Sequence, residues 1–321
     1  MTMTTSEDSL QPRRHQEARR AKDADQAESE AIGKRSVVVD RGVYDDRVAG
    51  AMDDYGPMEG EVETSWQSSD LTYDDAVGQV HEEIERRADL LGPAYPFELE
   101  DGLLTYRGPR SGFYEFCLAA SLATNITSGE NVGLPRLFER MSAILIASAF
   151  GPGTEHMHLG SPRDSEIGAA FHVAMREAHR RTSEWFWGPD PGLPENPSHT
   201  GDEGVDFVVW KRPPDRRVGS LFILGQCACG DDWSNKFNDI ELGRYERWFN
   251  PLTYARPPVR AFATPYHLGD GWLVEALPRA GLVFDRSRLT LLAEDVASDE
   301  PYRGQKDTIE KLSKLILPEA S

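Results

Sequence analysis

Between Gly201 and Lys236 the chain reads GDEGVDFVVWKRPPDRRVGSLFILGQCACGDDWSNK, and three of its polar residues are of types that do chemistry. Asp206 sits one residue into an apolar run, Val205–Trp210. Gln226 closes a second run, Leu221–Gln226, and Lys236 follows a loop rich in Gly and Asp. Short aliphatic and aromatic runs bounded by Gly and Pro predict buried strands. The charged, proline-bearing connection Lys211–Gly219 predicts that the two strands pair antiparallel. A carboxylate entering a buried strand is costly unless something pairs with it, and a divalent metal is one partner that offsets the cost. The expected arrangement is a hairpin presenting an acid and an amide oxygen at one edge, with a lysine beyond them.

An Asp on one strand, a Glu or Gln on the next and a lysine to follow resembles the PD-(D/E)xK restriction-endonuclease-like superfamily. The lead GDEGVD is similar to the DGGID-type motif of its Mrr-like branch, in which Gln often replaces Glu. The resemblance runs from about Leu134 to Trp248, roughly a third of the chain. It implies that Asp206 binds a catalytic metal, Mg2+ or Mn2+, and that Gln226 orients the metal or its water. It also implies that a lysine positions the water or steadies the pentavalent phosphate. An upstream helix often adds a glutamate, and Glu139, in the phrase LFER, is the residue that matches; a solvated Glu pairing with an Arg of its own helix is the plainer reading.

One position departs from the pattern. In (D/E)xK the lysine lies two residues after the acid, on the same face of the strand. Period-two alternation puts Phe222, Leu224, Gln226 and Ala228 on one face, so the lysine's place holds Ala228. Lys236 is the candidate, on the first turn of a helix that Ser234 would cap and that would run to about Phe249. Lys211 is its rival, but it lies five residues from Asp206 and alternation turns it to the opposite face. Without a lysine the module would be a degenerate binding fold.

The elements that must position these residues follow from periodicity. A helix is expected from about Asp70 to Leu91, strands at 95–99 and 102–106, and an apolar helix over Ser111–Asn125. Pro135 opens a helix with Leu137, Phe138, Met141, Ile144 and Leu145 as its stripe. His156 and His158 alternate on an expected strand, a spacing that suits zinc, yet no further ligands follow with recognisable spacing except Cys227 and Cys229. Asp164 or Ser165 is expected to cap a helix to about Phe186, with Arg176, Arg180 and Arg181 either solvated or meeting phosphates. Asp202 could assist the metal. Val259–Thr264 and Gly271–Ala276 are expected strands, and Gln305–Leu317 a closing helix. Asp285, Arg286 and Arg288 read as an internal salt-bridge set in preference to a DNA contact.

The fold class expected is α/β (α+β): a restriction-endonuclease-like mixed sheet flanked by helices over 131–321. A small α+β subdomain precedes it at 70–130, with a disordered acidic tail at 1–69. Residues 1–70 carry sixteen acids and nine bases with few aliphatics, a composition that buries too little apolar surface to offset ordering entropy. The whole chain has a formal net charge of −19, and the body without this tail remains at −12. A broad nucleic-acid patch is therefore not expected, although a metal-dependent nuclease site is itself acidic.

No apolar run approaches the roughly 18 residues of a membrane span, the first twenty residues are polar throughout, and the three cysteines form no disulfide framework. A cytoplasmic location is the expectation. Walker, GxSxG, HExxH and GxGxxG motifs are absent. The function expected is a metal-dependent nuclease hydrolysing phosphodiester bonds of DNA, or equally of RNA. The family's behaviour suggests defence against foreign DNA. The alternatives are a catalytically degenerate nuclease-fold interaction protein that meets a partner protein through its acidic tail, and a domain stabilised by zinc at Cys227 and Cys229.

Overall fold

The computed structural model describes residues 11–39, 79–193, 203–252 and 257–319. The chain divides into two compact units, Met1–Arg110 together with Ile316–Ser321, and Ser111–Leu315. The boundary falls some twenty residues before the one expected, because the helix anticipated at Ser111–Asn125 belongs to the larger unit.

The smaller unit holds α1 (Gln11–Lys34), β1 (Ser36–Val38), α2 (79–91), β2 (Phe97–Glu100) and β3 (Leu103–Tyr106), its strands antiparallel in the order β1-β3-β2. Asp101 and Gly102, both at positive φ (48° and 74°), make the two-residue turn between β2 and β3, the backbone a tight hairpin demands. Within the segment expected to be disordered, α1 and β1 are ordered elements; the rest of that segment, and Asp70, lie outside the described residues.

The reason is visible on α1. Ala24, Ala27 and Ala31 share one buried face at helical spacing, and two acids that composition counts as solvating are buried partners of Arg87. The Arg87 guanidinium is fully buried and donates to Asp25 Oδ1 (2.8 Å), Glu28 Oε1 (2.9 Å), Glu83 Oε1 (2.9 Å) and the Ala21 carbonyl (2.9 Å). The Tyr95 hydroxyl also donates to Glu28 Oε1, at 2.6 Å.

The larger unit is a mixed α+β fold built on a five-stranded mixed sheet flanked by helices, as expected. Its order is β10-β9-β7-β6-β4, from β4 (Thr154–His158), β6 (Phe207–Lys211), β7 (Leu221–Cys227), β9 (Val259–Ala263) and β10 (Leu282–Phe284). The pairs β4/β6 and β6/β7 are antiparallel; β7/β9 and β9/β10 are parallel. The unit opens with α3 (Phe113–Leu122), and on one face of the sheet lies α4 (Gly133–Ala149), which buries Leu137, Phe138, Met141 and Leu145 and packs on β4, β6 and β7. On the other lies α5 (Phe171–Thr182), whose Phe171, Ala174 and Met175 meet Met157, Val208, Trp210, Phe222 and Leu224 of the sheet. A two-stranded ribbon of β5 (Trp185–Trp187) and β8 (Phe249–Leu252) extends that core.

Three expected elements take another form. The helix expected from Asp164 to Phe186 runs only from Phe171 to Thr182: Asp164 Oδ1 accepts from Arg140 (3.0 Å) instead of capping, and Gly168 sits at φ 91°. Trp233–Lys236 is one 3-10 turn, followed by the short α6 (Leu242–Glu246), so Lys236 does not begin a helix reaching Phe249. There Trp233 and Phe237 pack under the sheet while Asn235, Asn238 and Asp239 favour turns. The strand expected at Gly271–Ala276 is α7 (Asp270–Ala280), whose Trp272, Leu273, Ala276 and Ala280 recur at helical spacing against Phe262 and Val283.

Asp285 caps α8 (Arg286–Val296) by accepting from the Arg288 amide (3.1 Å). Arg286 is buried and donates to the Pro265 carbonyl (2.8 Å) and Ser121 Oγ (2.7 Å), an internal role. No helix among the described residues is long and apolar enough to cross a membrane.

Arg87→Met is expected to destabilise the full chain by about 3–5 kcal/mol, read from the urea unfolding midpoint, because it strands buried carboxylates. Burial works to raise the Glu83 carboxyl, but Arg87's charge and bonds from Arg86 hold it below its ordinary value of 4.5. Its contribution is therefore complete above pH 4.5 and is lost as pH falls through the lower folded value; Arg87→Met moves the onset of that loss to higher pH.

Candidate functional site at the end of the β6–β7 pair

Asp206 lies immediately before β6, where three strands meet. Its amide donates to the Gly225 carbonyl (2.9 Å), and its carbonyl accepts from the amides of Leu159 (2.6 Å) and Gly160 (2.9 Å) just past β4. Its carboxylate Oδ2 accepts from the Cys227 amide at 2.7 Å. The ladder ends with Phe207 paired to Gly225, so Asp206 and Gln226 lie next beyond it on neighbouring strands.

Gln226 is nine-tenths buried. Its Nε2 donates to Asp239 Oδ2 at 3.0 Å, which fixes the amide's orientation. The opposite atom, Oε1, is buried without a hydrogen-bond partner among the described residues. Sequence reasoning passed over Asp239. It follows Lys236 by three residues in a stretch read as helix, and only the break of that helix turns it back to the strand.

Glu139 projects from α4 towards the same strand end and pairs with His158, Nε2 to Oε2, at 2.9 Å. A strand histidine is thus among its partners. Gly160 makes room for the pair: a Cβ there would stand 2.3 Å from Glu139 Oε2 and 3.0 Å from His158 Nε2.

Burial pushes the Cys227 thiol well up, and the carboxylates of Asp206 and Glu139 push it further. Burial does the same to Cys229, followed by Glu139, Cys117 and Asp206, while Lys236 acts in the opposite sense. Asp206, Glu139, the two thiols and Lys236 therefore share one electrostatic neighbourhood. Lys236 is about a third exposed, and its Nζ is 3.8 Å from Asp232 Oδ1. Lys211 is remote: it donates to the Gly151 carbonyl (3.3 Å) at the far end of β6, about 16 Å along the strand from Asp206. Asp202 lies outside the described residues.

Among the described residues no three His, Cys, Asp or Glu side chains are grouped to hold a metal ion, so His156, His158, Cys227 and Cys229 make no zinc centre. The oxygen donors at the strand end, two carboxylates and the orphaned Gln226 Oε1, are of the chemical kind that suits a hard divalent cation.

No family model matches the sequence, and no curated protein matches it. Among solved structures, MspJI restriction endonuclease in complex with a 27-mer oligonucleotide is a distant neighbour, 14% identical with a TM-score of 0.30. The overlay covers 57% of this chain and 32% of that one, so the chain spans about a third of its length. At that level of similarity neither fold nor function transfers.

With both thiols buried and pushed towards the protonated form, alkylation of the native chain by iodoacetamide at pH 8 is expected to be slower than in urea. Asp206→Asn removes a charge that raises the Cys227 thiol, so it should speed native alkylation. Unchanged rates would separate Asp206 from Cys227.

Proposed function

We propose that the chain is a metal-dependent phosphodiester hydrolase of the restriction-endonuclease-like class, with the Mrr-like variant of its motif, and that it acts on DNA. The observation that carries this is the juxtaposition of Asp206 and Gln226 across neighbouring strands, with an orphaned amide oxygen and Glu139 entering from the flanking helix. Asp206, Gln226 Oε1 and Glu139 would hold Mg2+ or Mn2+. When bound, the ion would polarise the scissile phosphate and lower the pKa of a water.

The chain's own residues do the positioning. The Cys227 amide anchors the Asp206 carboxylate through Oδ2. Asp239 holds the Gln226 amide so that its oxygen, not its nitrogen, is presented. His158 orients Glu139 and can hold a proton on their shared axis. Lys236, exposed on its turn, would release Asp232 and counter the charge that develops on the phosphate. Defence against foreign DNA is the role this class of activity suggests.

Ala228 favours a second reading. It is fully buried at the place of the motif lysine, in a core with Phe237 and Phe262, and a module without a lysine would bind and not cut.

Cleavage of plasmid and single-stranded DNA and of RNA with Mg2+ or Mn2+ tests both readings. Asp206→Ala is expected to lower the rate by roughly a hundredfold or more, and Lys236→Ala by a similar order. Gln226→Ala should weaken the response to metal concentration. Cutting that survives Asp206→Ala would sink the assignment of the site. No metal-dependent cutting of any substrate, with no metal binding by calorimetry, would leave the binding module.

A further inference from the structure

Beside the strand end, a cleft of about 210 Å³ runs along the outer edge of β4. Arg140, His156, His158, Arg181, Asp164 and Glu166 are among the residues that line it. His158 is common to the cleft and to the Glu139 pair, so the cleft opens directly onto the candidate catalytic end.

Its polar wall is built and not incidental. Arg140 is held on Asp164 Oδ1 through Nε (3.3 Å) and Nη2 (3.0 Å), and on the Pro162 carbonyl (3.1 Å). Arg181 gives its Nε to Glu177 Oε1 at 2.7 Å, and its charge, after burial, holds the neighbouring His156 below the ordinary imidazole range. The backbone carbonyl of Arg181 in turn receives Arg212 from the β6–β7 turn. Arg212 also pairs with Glu155 (2.9 Å), and Arg216 and Arg217 are exposed farther along the same turn. Arginines of the cleft and of the turn thus recur along this edge of a chain whose formal net charge is −19, with Arg140, Arg181, Arg212 and Arg217 each held by a carboxylate.

We propose that this cleft and the arginine line behind it form the track for the phosphodiester backbone of a nucleic-acid strand, with one nucleotide unit seated between Arg140, His156 and Arg181. The guanidinium groups are already oriented by carboxylates, so their remaining N–H donors are preorganised for phosphate oxygens. The apolar floor of Ile144, Met157 and Ile167 suits the flat face of a sugar or base.

This rests on the nuclease reading only in taking the strand as substrate, and its test needs no cleavage. The probe is a fluorescein-labelled single-stranded 12-mer DNA, bound to the full-length Asp206→Asn chain in EDTA and followed by anisotropy from 50 to 200 mM NaCl. Saturable binding is expected, with Arg181→Gln and Arg140→Gln each weakening it roughly three- to tenfold and each lowering the salt slope by about one. The double variant Arg216→Gln/Arg217→Gln, on the exposed tip, gives the same readout without touching the packed wall. Thermal melts confirm that each variant is folded. Unchanged affinity and slope in both the Arg181→Gln and the tip variants would overturn the track, as would equal binding of poly-glutamate. Loss of the track would leave wild-type cleavage to be judged separately, and binding without cleavage would leave the track standing.

Discussion

The position of Asp206 is fixed by its backbone before its side chain does anything. Amides from beyond β4 converge on its carbonyl, and its own amide closes the first bond to β7. Those bonds stitch β4, β6 and β7 together at one end, so the acid cannot shift without unpicking the sheet. The Cys227 amide then takes one carboxylate oxygen. A backbone amide is a neutral donor, which favours a carboxylate's charge without cancelling it. The other polar groups at the strand end stand around this carboxylate. The thiols of Cys227 and Cys229 are pushed towards the protonated form beside it, Gln226 lies on the neighbouring strand, and Glu139 pairs with His158.

Glycine at two points makes the arrangement geometrically feasible. A Cβ at Gly225 would stand 1.9 Å from the Phe207 ring, and one at Gly160 would collide with Glu139. The first lets an aromatic ring lie flat over the strand pair beside the acid. The second lets helix α4 bring its glutamate down to the strand. Both positions are dictated by close approach and not by backbone dihedral, since neither adopts a positive φ.

Much of this was legible in the sequence, and the reasons for the failures differ. The β6–β7 hairpin, with Asp206 and Gln226 at one end of it, follows from two apolar runs joined by a charged, proline-bearing turn. The ordered α1 was hidden because composition averages over a segment, whereas Asp25 and Glu28 matter as individuals matched to one buried arginine fifty-nine or more residues away. The Gln226–Asp239 bond was hidden for another reason. It depends on how a loop of thirteen residues folds back, and Trp233 and Phe237 decide that by burying themselves under the sheet. α7 was misread as a strand although its apolar residues already recur at helical spacing, an error of period and not of context.

Ala228 shows how the fold constrains where a lysine can stand. Its amide donates to the Ala263 carbonyl (3.0 Å), and its carbonyl accepts from Thr264 Oγ1 (2.9 Å). Its methyl group is enclosed by Phe237 and Phe262. A lysine at this position would force an ammonium into an aromatic core, where an unpaired charge is strongly disfavoured. That face is closed with apolar packing, while Lys236 stands on the turn after the loop, about a third exposed, where its charge acts on Cys229. The same packing that excludes a lysine at 228 is what folds the 227–236 loop back towards Asp206. The aromatic cluster under the strand end and the placement of the cation above it are therefore one structural solution.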